Sequence, residues 1–372
     1  MTADAPDPHE GATLTVDLDA IVGNWRRLQD RLASGCRAAA VVKADGYGLG
    51  ALPVAAALAG AGCQRFFVAT ADEGVALRGG LSAAEIIVLN GVDAGTAPLL
   101  HGHRLTPMLN SLEQATAWRD YATGLDSALP AALHIDTGMA RLGLAPGEAI
   151  TLTDRVDFRR RVTLTLVISH LACADQPDHP LNRQQLQLFA PLAAAFAGVE
   201  SSLAASMGIF LGPEFHFHCV RPGAALYGIN PTPGRENPMA AVARLQLRVL
   251  QVREIDAGFT VGYGATFRAA GKARLATVGA GYADGLLRSL GNRGHGTVGD
   301  KLVPLVGSVS MDLAVFDVSG VASSDIQPGA MIDLIGPRQS VDQLAHDAGT
   351  IGYEIFSRLG PRLARRYLSS AA

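Results

Sequence analysis

A lysine at the end of an apolar run is the first residue here whose position suggests chemistry. Ala40–Gly50 reads AVVKADGYGLG, a short strand that ends in Lys43 and passes into a glycine-rich turn. In a parallel barrel the C-terminal ends of the strands carry the active site. A lysine partly withdrawn from water there becomes nucleophilic toward an aldehyde. The bland alternative is a lysine whose stem packs at a strand end while its ammonium reaches water. Tyr263 lies in another glycine-rich string, Val261–Phe267 (VGYGATF). An ordinary phenol, with a pKa of about 10, serves as a base near neutrality only beside cations or hydrogen-bond donors. Taken alone, Tyr263 reads as a surface tyrosine. Arg221, in Val220–Gly228 (VRPGAALYG), stays protonated and can only donate; alone, it reads as half of a surface ion pair. Ser206 and Gly223 stand where barrels hold phosphate, after the seventh strand and before the last. Gly223 can offer its backbone N–H with no side chain in the way.

Those groups need a scaffold. Apolar runs alternate with helical spacing at Ala38–Lys43, Arg65–Ala69, Glu85–Leu89, Arg104–Met108, Ala131–Asp136, Thr163–Ser169, Ser202–Ala205 and Ala224–Gly228. Helical segments between them include Leu52–Ala61, Asp72–Arg78, Leu112–Ala122 and Asn182–Ala197. Eight strands alternating with helices predict an α/β fold, a (β/α)8 TIM-like barrel. Segment 206–223 is less regular. Pro231–Pro238 holds three prolines and a glycine and reads as a linker. After it, Arg244–Ile255, Ala273–Val278, Val303–Leu305 and Ala314–Val318 look like strands, with little helix before Val341. The expected division is a barrel over 1–235 and a mostly β C-terminal domain over 236–372. The first strand, about 12–18, has the option of packing with the C-terminal domain.

Composition narrows the function classes. A chain of 372 residues, 48% hydrophobic and 17% charged, suits two domains with sizeable cores and is not disordered. A net charge of −3 and no basic stripe argue against nucleic acid as a partner. The start, MTADAPDPHE, lacks the basic and apolar regions of a signal peptide. The longest uncharged stretch, Gly46–Cys63, is rich in Gly and Ala and holds Pro53, a poor membrane span. Cys36, Cys63, Cys173 and Cys219 are scattered and read as reduced thiols. A cytoplasmic protein without membrane contact is expected. His101 with His103, and His216 with His218, are too few ligands for a metal, so none is expected. Gly279–Gly285 starts like a dinucleotide fingerprint, but Asp284 stands where the third glycine belongs.

The Lys43 string resembles the cofactor-lysine motif of alanine racemases, fold-type III pyridoxal-phosphate enzymes. The resemblance runs in order through nearly the whole chain: Thr13–Leu28, His134–Gly143 (HIDTGMARLG), Ser169–His170, VRPGAALYG, VGYGATF, Gly281–Gly285 (GYADG), Ser310–Asp312 (SMD) and Gly352–Glu354 (GYE). It implies an isomerase that interconverts L- and D-alanine with pyridoxal 5'-phosphate, supplying D-alanine for peptidoglycan or catabolising it. It implies that Lys43 holds the cofactor as an imine and, once freed, is the base on the D-alanine side, with Tyr263 the base on the L-alanine side. His170 and Arg221 would be the relay behind the tyrosine, and Arg221 would face the pyridine nitrogen. Tyr47, Ser206, Gly223, Ala224 and Tyr353 would bind the phosphate. Arg141 would meet the cofactor's phenolic oxygen and the substrate carboxylate, Met311 and Asp312 the substrate, and Tyr282 the entrance. The family also implies a head-to-tail homodimer with each site shared between chains.

Four positions depart from the family pattern. His134 stands where many relatives carry a carbamylated lysine that steadies the arginine seven residues on. A histidine cannot carry that stable carbamate, so it is expected to support Arg141 directly or through a bound anion or water. Leu49 replaces a usual histidine, Ala205 an asparagine, and Ser310 a common cysteine. The competing readings are a racemase of broader specificity (serine or basic amino acids), a non-catalytic pyridoxal-phosphate carrier, and a basic amino-acid decarboxylase. The carrier lacks a second domain, and the decarboxylase signature is not found.

Overall fold

The structure is a computed structural model and describes residues 11–370; the start MTADAPDPHE lies outside the described residues. The chain divides into two compact units. One is Ile21–Ala240; the other joins the stretch up to Ala20 to the chain from Ala241 onward. The first strand, β1 (Ala12–Asp17), belongs to the latter.

The first unit is the barrel. Its strands are β2 (Arg37–Ala38), β3 (Ala40–Val41), β4 (Arg65–Val68), β5 (Glu85–Val88), β6 (Thr106–Leu109), β7 (Leu129–His134), β8 (Val162–Ile168), β9 (Glu200–Ser202) and β10 (Cys219–Val220). From β3 to β9 each strand pairs in parallel with the next. β2 and β3 form one interrupted strand, and the ring closes on it. Cys219 and Val220 pair with Arg37 and Ala38, the Val41 amide donates to Pro222 O, and the Arg221 amide donates to Ala204 O. The strands read as unbroken apolar runs because both faces are covered: Phe66, Phe67, Ile86 and Ile87 are fully buried. Helix starts are written locally. Thr70 and Glu73 form a reciprocal capping box at the helix Ala71–Gly80, and Ser111 accepts from the Gln114 amide at Leu112–Gly124.

One expected strand is wrong. Ala224–Gly228 is not β; Ala224–Tyr227 is a buried 3-10 turn ended by Gly228 at φ 76. A short run apolar on every side gives no period by which to tell a buried strand from a buried turn. The true last strand, β10, has only two residues and lies inside the segment read as irregular.

The second unit is mostly β. Its further strands are β11 (Ala243–Ile255), β12 (Thr260–Val261), β13 (Phe267–Arg268), β14 (Ala273–Val278), β15 (His295–Val298), β16 (Lys301–Pro304), β17 (Ala314–Asp317), β18 (Met331–Ile335) and β19 (Ala364–Leu368). β1 lies between β11, antiparallel, and β19, parallel. β11 pairs with β18 over Leu245–Arg248 and with β14 over Val249–Ile255, with register shifts between Leu245 and Gln246 and between Val249 and Gln251. β12 and β13 form a small hairpin. No helix among the described residues is long and apolar enough to cross a membrane.

Candidate active site

Lys43, Tyr47, Arg141, His170, Ser206, Arg221 and Gly223 all follow the C-terminal ends of barrel strands, so they gather at one end of the ring. Lys43 comes just after β3 and begins an unusual turn. Ala44, Asp45, Gly46 and Tyr47 all have φ between 52 and 61. Three of these four are not glycine, and L-residues resist that left-handed region by about 1–2 kcal/mol each. The surroundings hold the turn in place. The Ala44 amide donates to Glu73 Oε1 at 2.7 Å, and the Ala51 amide donates to Asp45 Oδ1 at 2.8 Å. At Gly46 a side chain would press on the Ala51 backbone. Lys43 itself is half-buried. Burial, and then the Arg141 charge, push its pKa down, while Glu73 partly opposes them. An amine held in that way is more readily free to act as a nucleophile or base.

Arg221 is buried at the end of β10. It donates to Ser202 Oγ (2.5 Å) and to Ser169 O (2.6 Å), and it reaches His170 Nδ1 at 3.4 Å. Burial lowers its pKa to about 10, which leaves it protonated at neutrality. Because the guanidinium only donates, His170 must accept at Nδ1 and carry its proton on Nε2. Burial and then the Arg221 charge hold His170 at about 3, so the ring is neutral. Gln185 fixes the backbone beneath it by donating to His170 O at 2.8 Å.

After β9, Ser206 Oγ accepts from the Gly223 amide (3.0 Å) and the Ala225 amide (3.1 Å). Its own hydroxyl proton remains for an acceptor. A side chain at Gly223 would run into the Tyr47 hydroxyl, so Tyr47, Ser206 and Gly223 adjoin. Ala224 lies between the two donating residues, and its amide is not one of those that converge on Ser206. Hydroxyls and amides flanked by cationic Arg221 and Lys43 suit a phosphate joined to an aldehyde. The residues present therefore fit pyridoxal phosphate.

Arg141 is exposed on a loop built around Asp136, whose carboxylate accepts from the amides of Gly138, Met139 and Ala140. His134 does not bond to Arg141. Its Nδ1 lies 3.0 Å from Asn110 Oδ1 instead. Leu49, where a histidine is usual in the family, is fully buried. His216 and His218 bond to the backbone and Ser201, and among the described residues no group of three or more possible ligands is placed to hold a metal. All four cysteines are free.

The remaining motif residues lie in the second unit. Tyr263 begins the turn at the tip of the β12–β13 hairpin and is 78% exposed. Ser308 Oγ donates to its carbonyl. The Tyr282 and Ala283 amides donate to Ser310 O and Met311 O, which ties GYADG to SMD. Asp312 is not free: Arg362 donates to it at 2.7 Å and binds buried Asp284 with two further N–H groups. Tyr353 is partly buried in the helix Gly352–Ser357. Sequence reasoning missed Ala225, Asn110, Glu73 and Arg362. Only Glu73 had a local signal, the Thr70–Glu73 capping pattern.

Known proteins resemble this chain in sequence and fold. Residues 16–231 match the family model of the alanine racemase N-terminal domain and residues 242–367 that of the C-terminal domain. An alanine racemase of Rhodospirillum rubrum is 52% identical over 96% of both chains. A catabolic alanine racemase of Mesorhizobium japonicum is 47% identical over 96% of this chain and 93% of its own. The crystal structure of alanine racemase from Bartonella henselae, with covalently bound pyridoxal phosphate, superposes with a TM-score of 0.91 at 37% identity, covering 96% of this chain and 99% of that one. With both halves matched and such relatives spanning nearly its whole length, the chain belongs to the alanine racemase family.

Proposed function

We propose that this chain interconverts L- and D-alanine with two bases and pyridoxal 5'-phosphate, either to supply D-alanine for peptidoglycan or to catabolise it. The observation that carries the reading is Lys43, its pKa lowered, at the barrel end that also holds the Ser206 hydroxyl and the Arg221–His170 pair. Lys43 would hold the cofactor covalently. Ser206, Tyr47, Gly223 and Ala224, together with Tyr353, would hold its phosphate, Arg221 its ring nitrogen and Arg141 its phenolic oxygen. The bound cofactor supplies a sink for the charge left when the α-proton departs.

The protons belong to the protein. Lys43 Nζ removes or returns the proton on the D-alanine side, and Tyr263 Oη does so on the L-alanine side. Arg221 fixes His170 as the Nε2–H tautomer, and that N–H is the donor suited to steady a phenolate. Arg141 and the Met311–Asp312 loop orient the substrate carboxylate, and Tyr282 lines the entrance. Asp312 acts through its backbone, since its carboxylate already binds Arg362.

We further infer a cytoplasmic head-to-tail homodimer in which each barrel is completed by the partner's Tyr263. In support, the motif residues are divided between two units, and the second unit leaves Phe259, Tyr263, Tyr282, Met311 and Ile351 exposed. A two-fold interface then builds two equivalent sites together.

The test is turnover across a panel of L-amino acids, with alanine expected to dominate serine, lysine and arginine. Borohydride reduction followed by peptide mapping should place the cofactor on Lys43. A preferred substrate other than alanine, or an adduct on another lysine, overturns the reading.

A further inference from the structure

The turn that offers its amides to Ser206 also carries Tyr227. Ala224–Tyr227 follows directly on Gly223, and the Leu226 amide donates back to Gly223 O at 2.8 Å. Asn24 Nδ2 steadies the same turn by donating to Leu226 O at 3.2 Å. At its start the Gly223 and Ala225 amides converge on Ser206. At its end Tyr227 is fully buried. The Tyr227 hydroxyl crosses to the strand that leads into Lys43 and donates to Val41 O at 3.1 Å. Burial, and then Tyr47 and Asp45, hold the Tyr227 pKa well above its ordinary value. The phenol therefore keeps its proton and is no base.

The ring of Tyr227 has a second neighbour. It lies 4.7 Å from the Tyr47 ring, with the two planes 32° from parallel. Aromatic contacts of this kind restrict the orientation of both rings. Tyr47 needs that restriction, because its φ of 56 lies in the left-handed region that L-residues resist. The Tyr47 hydroxyl in turn lies only 2.2 Å from where a Cβ on Gly223 would fall. Tyr47 thus runs from the Tyr227 ring to the glycine that begins the same turn. One short segment governs two kinds of phosphate donor: it sets the amides through its backbone and the Tyr47 hydroxyl through the Tyr227 ring.

We propose that Tyr227 is a positioning residue for the phosphate site: its ring, anchored by the bond from its hydroxyl to Val41 O, holds the Tyr47 hydroxyl beside Gly223 and Ser206, where a phosphate monoester would accept from it. The inference rests on the reading of Tyr47 as a phosphate ligand.

The test is a binding titration of the cofactor-free, full-length chain with two aldehydes, pyridoxal 5'-phosphate and pyridoxal, followed by absorbance. Both can react with Lys43, and only the first carries a phosphate. Tyr227→Leu removes the aromatic face and should weaken pyridoxal-phosphate binding about tenfold, while pyridoxal binding stays within about twofold of wild type. Tyr227→Phe keeps the ring and should lose no more than about threefold. Tyr227→Met, which adapts to irregular core space, takes the place of the Leu variant if that chain does not fold. Equal losses for the two aldehydes, a Phe variant as weak as Leu, or no loss in the Leu variant overturns the proposal. The Tyr47→Phe background separates the two readings. There Tyr227→Leu should cost no more than about a further twofold, because the hydroxyl it positions is gone; a loss of about tenfold again overturns the proposal. Tyr47→Phe with wild-type affinity instead overturns the phosphate reading of Tyr47, and the proposal with it.

Discussion

Acid should loosen the barrel through its buried histidines, and for His134 the amount follows from two pKa values. In the folded chain burial, followed by the Arg221 and Arg141 charges, brings His134 down to about 4. In the unfolded chain it titrates at about 6.5. Between those values the unfolded state holds a proton that the folded state does not, so stability falls as pH falls through that window and is flat above it. At pH 5 the unfolded histidine is almost wholly protonated and the folded one only about a tenth so. The resulting loss relative to pH 7 is about 2 kcal/mol. The figure depends little on the folded value, because pH 5 lies well above it. His170, at about 3, acts with the same sign and adds a similar amount. His134→Gln removes one titrating group and keeps its hydrogen bond to Asn110. The assay is urea unfolding of cofactor-free protein at pH 7 and pH 5, followed by tryptophan fluorescence. The chain has two tryptophans, and Trp25 and Trp118 are both buried in the barrel unit, so the signal follows that unit. Between the two pH values the variant should lose about 2 kcal/mol less than wild type. Identical losses in the two proteins would refute the claim that His134 folds in neutral.

Two further predictions follow from the site. Ser206→Ala takes the acceptor from two buried amides, Gly223 and Ala225, at about 1–3 kcal/mol each; thermal melts of the cofactor-free protein should fall and pyridoxal-phosphate affinity should weaken, and unchanged values for both would remove Ser206 from the cradle. Mixing inactive Lys43→Ala and Tyr263→Ala chains under subunit exchange should restore activity, because a hybrid of head-to-tail partners holds one intact site and one doubly broken site; no recovery would mean that both bases come from one chain.

The contrast between what could and could not be read from the sequence has a physical cause. Barrel strands buried on both faces must be apolar throughout, so β4, β5 and β8 stood out to within a residue or two. Helices announced themselves through apolar residues at helical spacing, as in Leu52–Ala61 and Leu112–Ala122. The last strand did not, because the ring needs only Cys219 and Val220 to close on Arg37 and Ala38, and two residues carry no period. The left-handed turn after Lys43 was hidden for a related reason. Ala44, Asp45 and Tyr47 have no preference for positive φ, and Glu73, 29 positions from Ala44, helps to hold the turn. The same distance in sequence hid Asn110 from His134 and Arg362 from Asp284, which are 24 and 78 positions apart. Motif residues such as Lys43 and Arg221 could be recognised because their chemistry constrains the neighbours on either side of them. Asn110 and Arg362 act through a single contact made in space, which demands nothing of the residues next to them in the chain. Motif reading therefore finds the groups proposed to move protons and overlooks those that fix the direction in which each group can donate or accept. At His134 that direction is set by Asn110, whose Nδ2 is spent on Leu89 O and Met108 O, so that Oδ1 faces the ring and the proton sits on Nδ1.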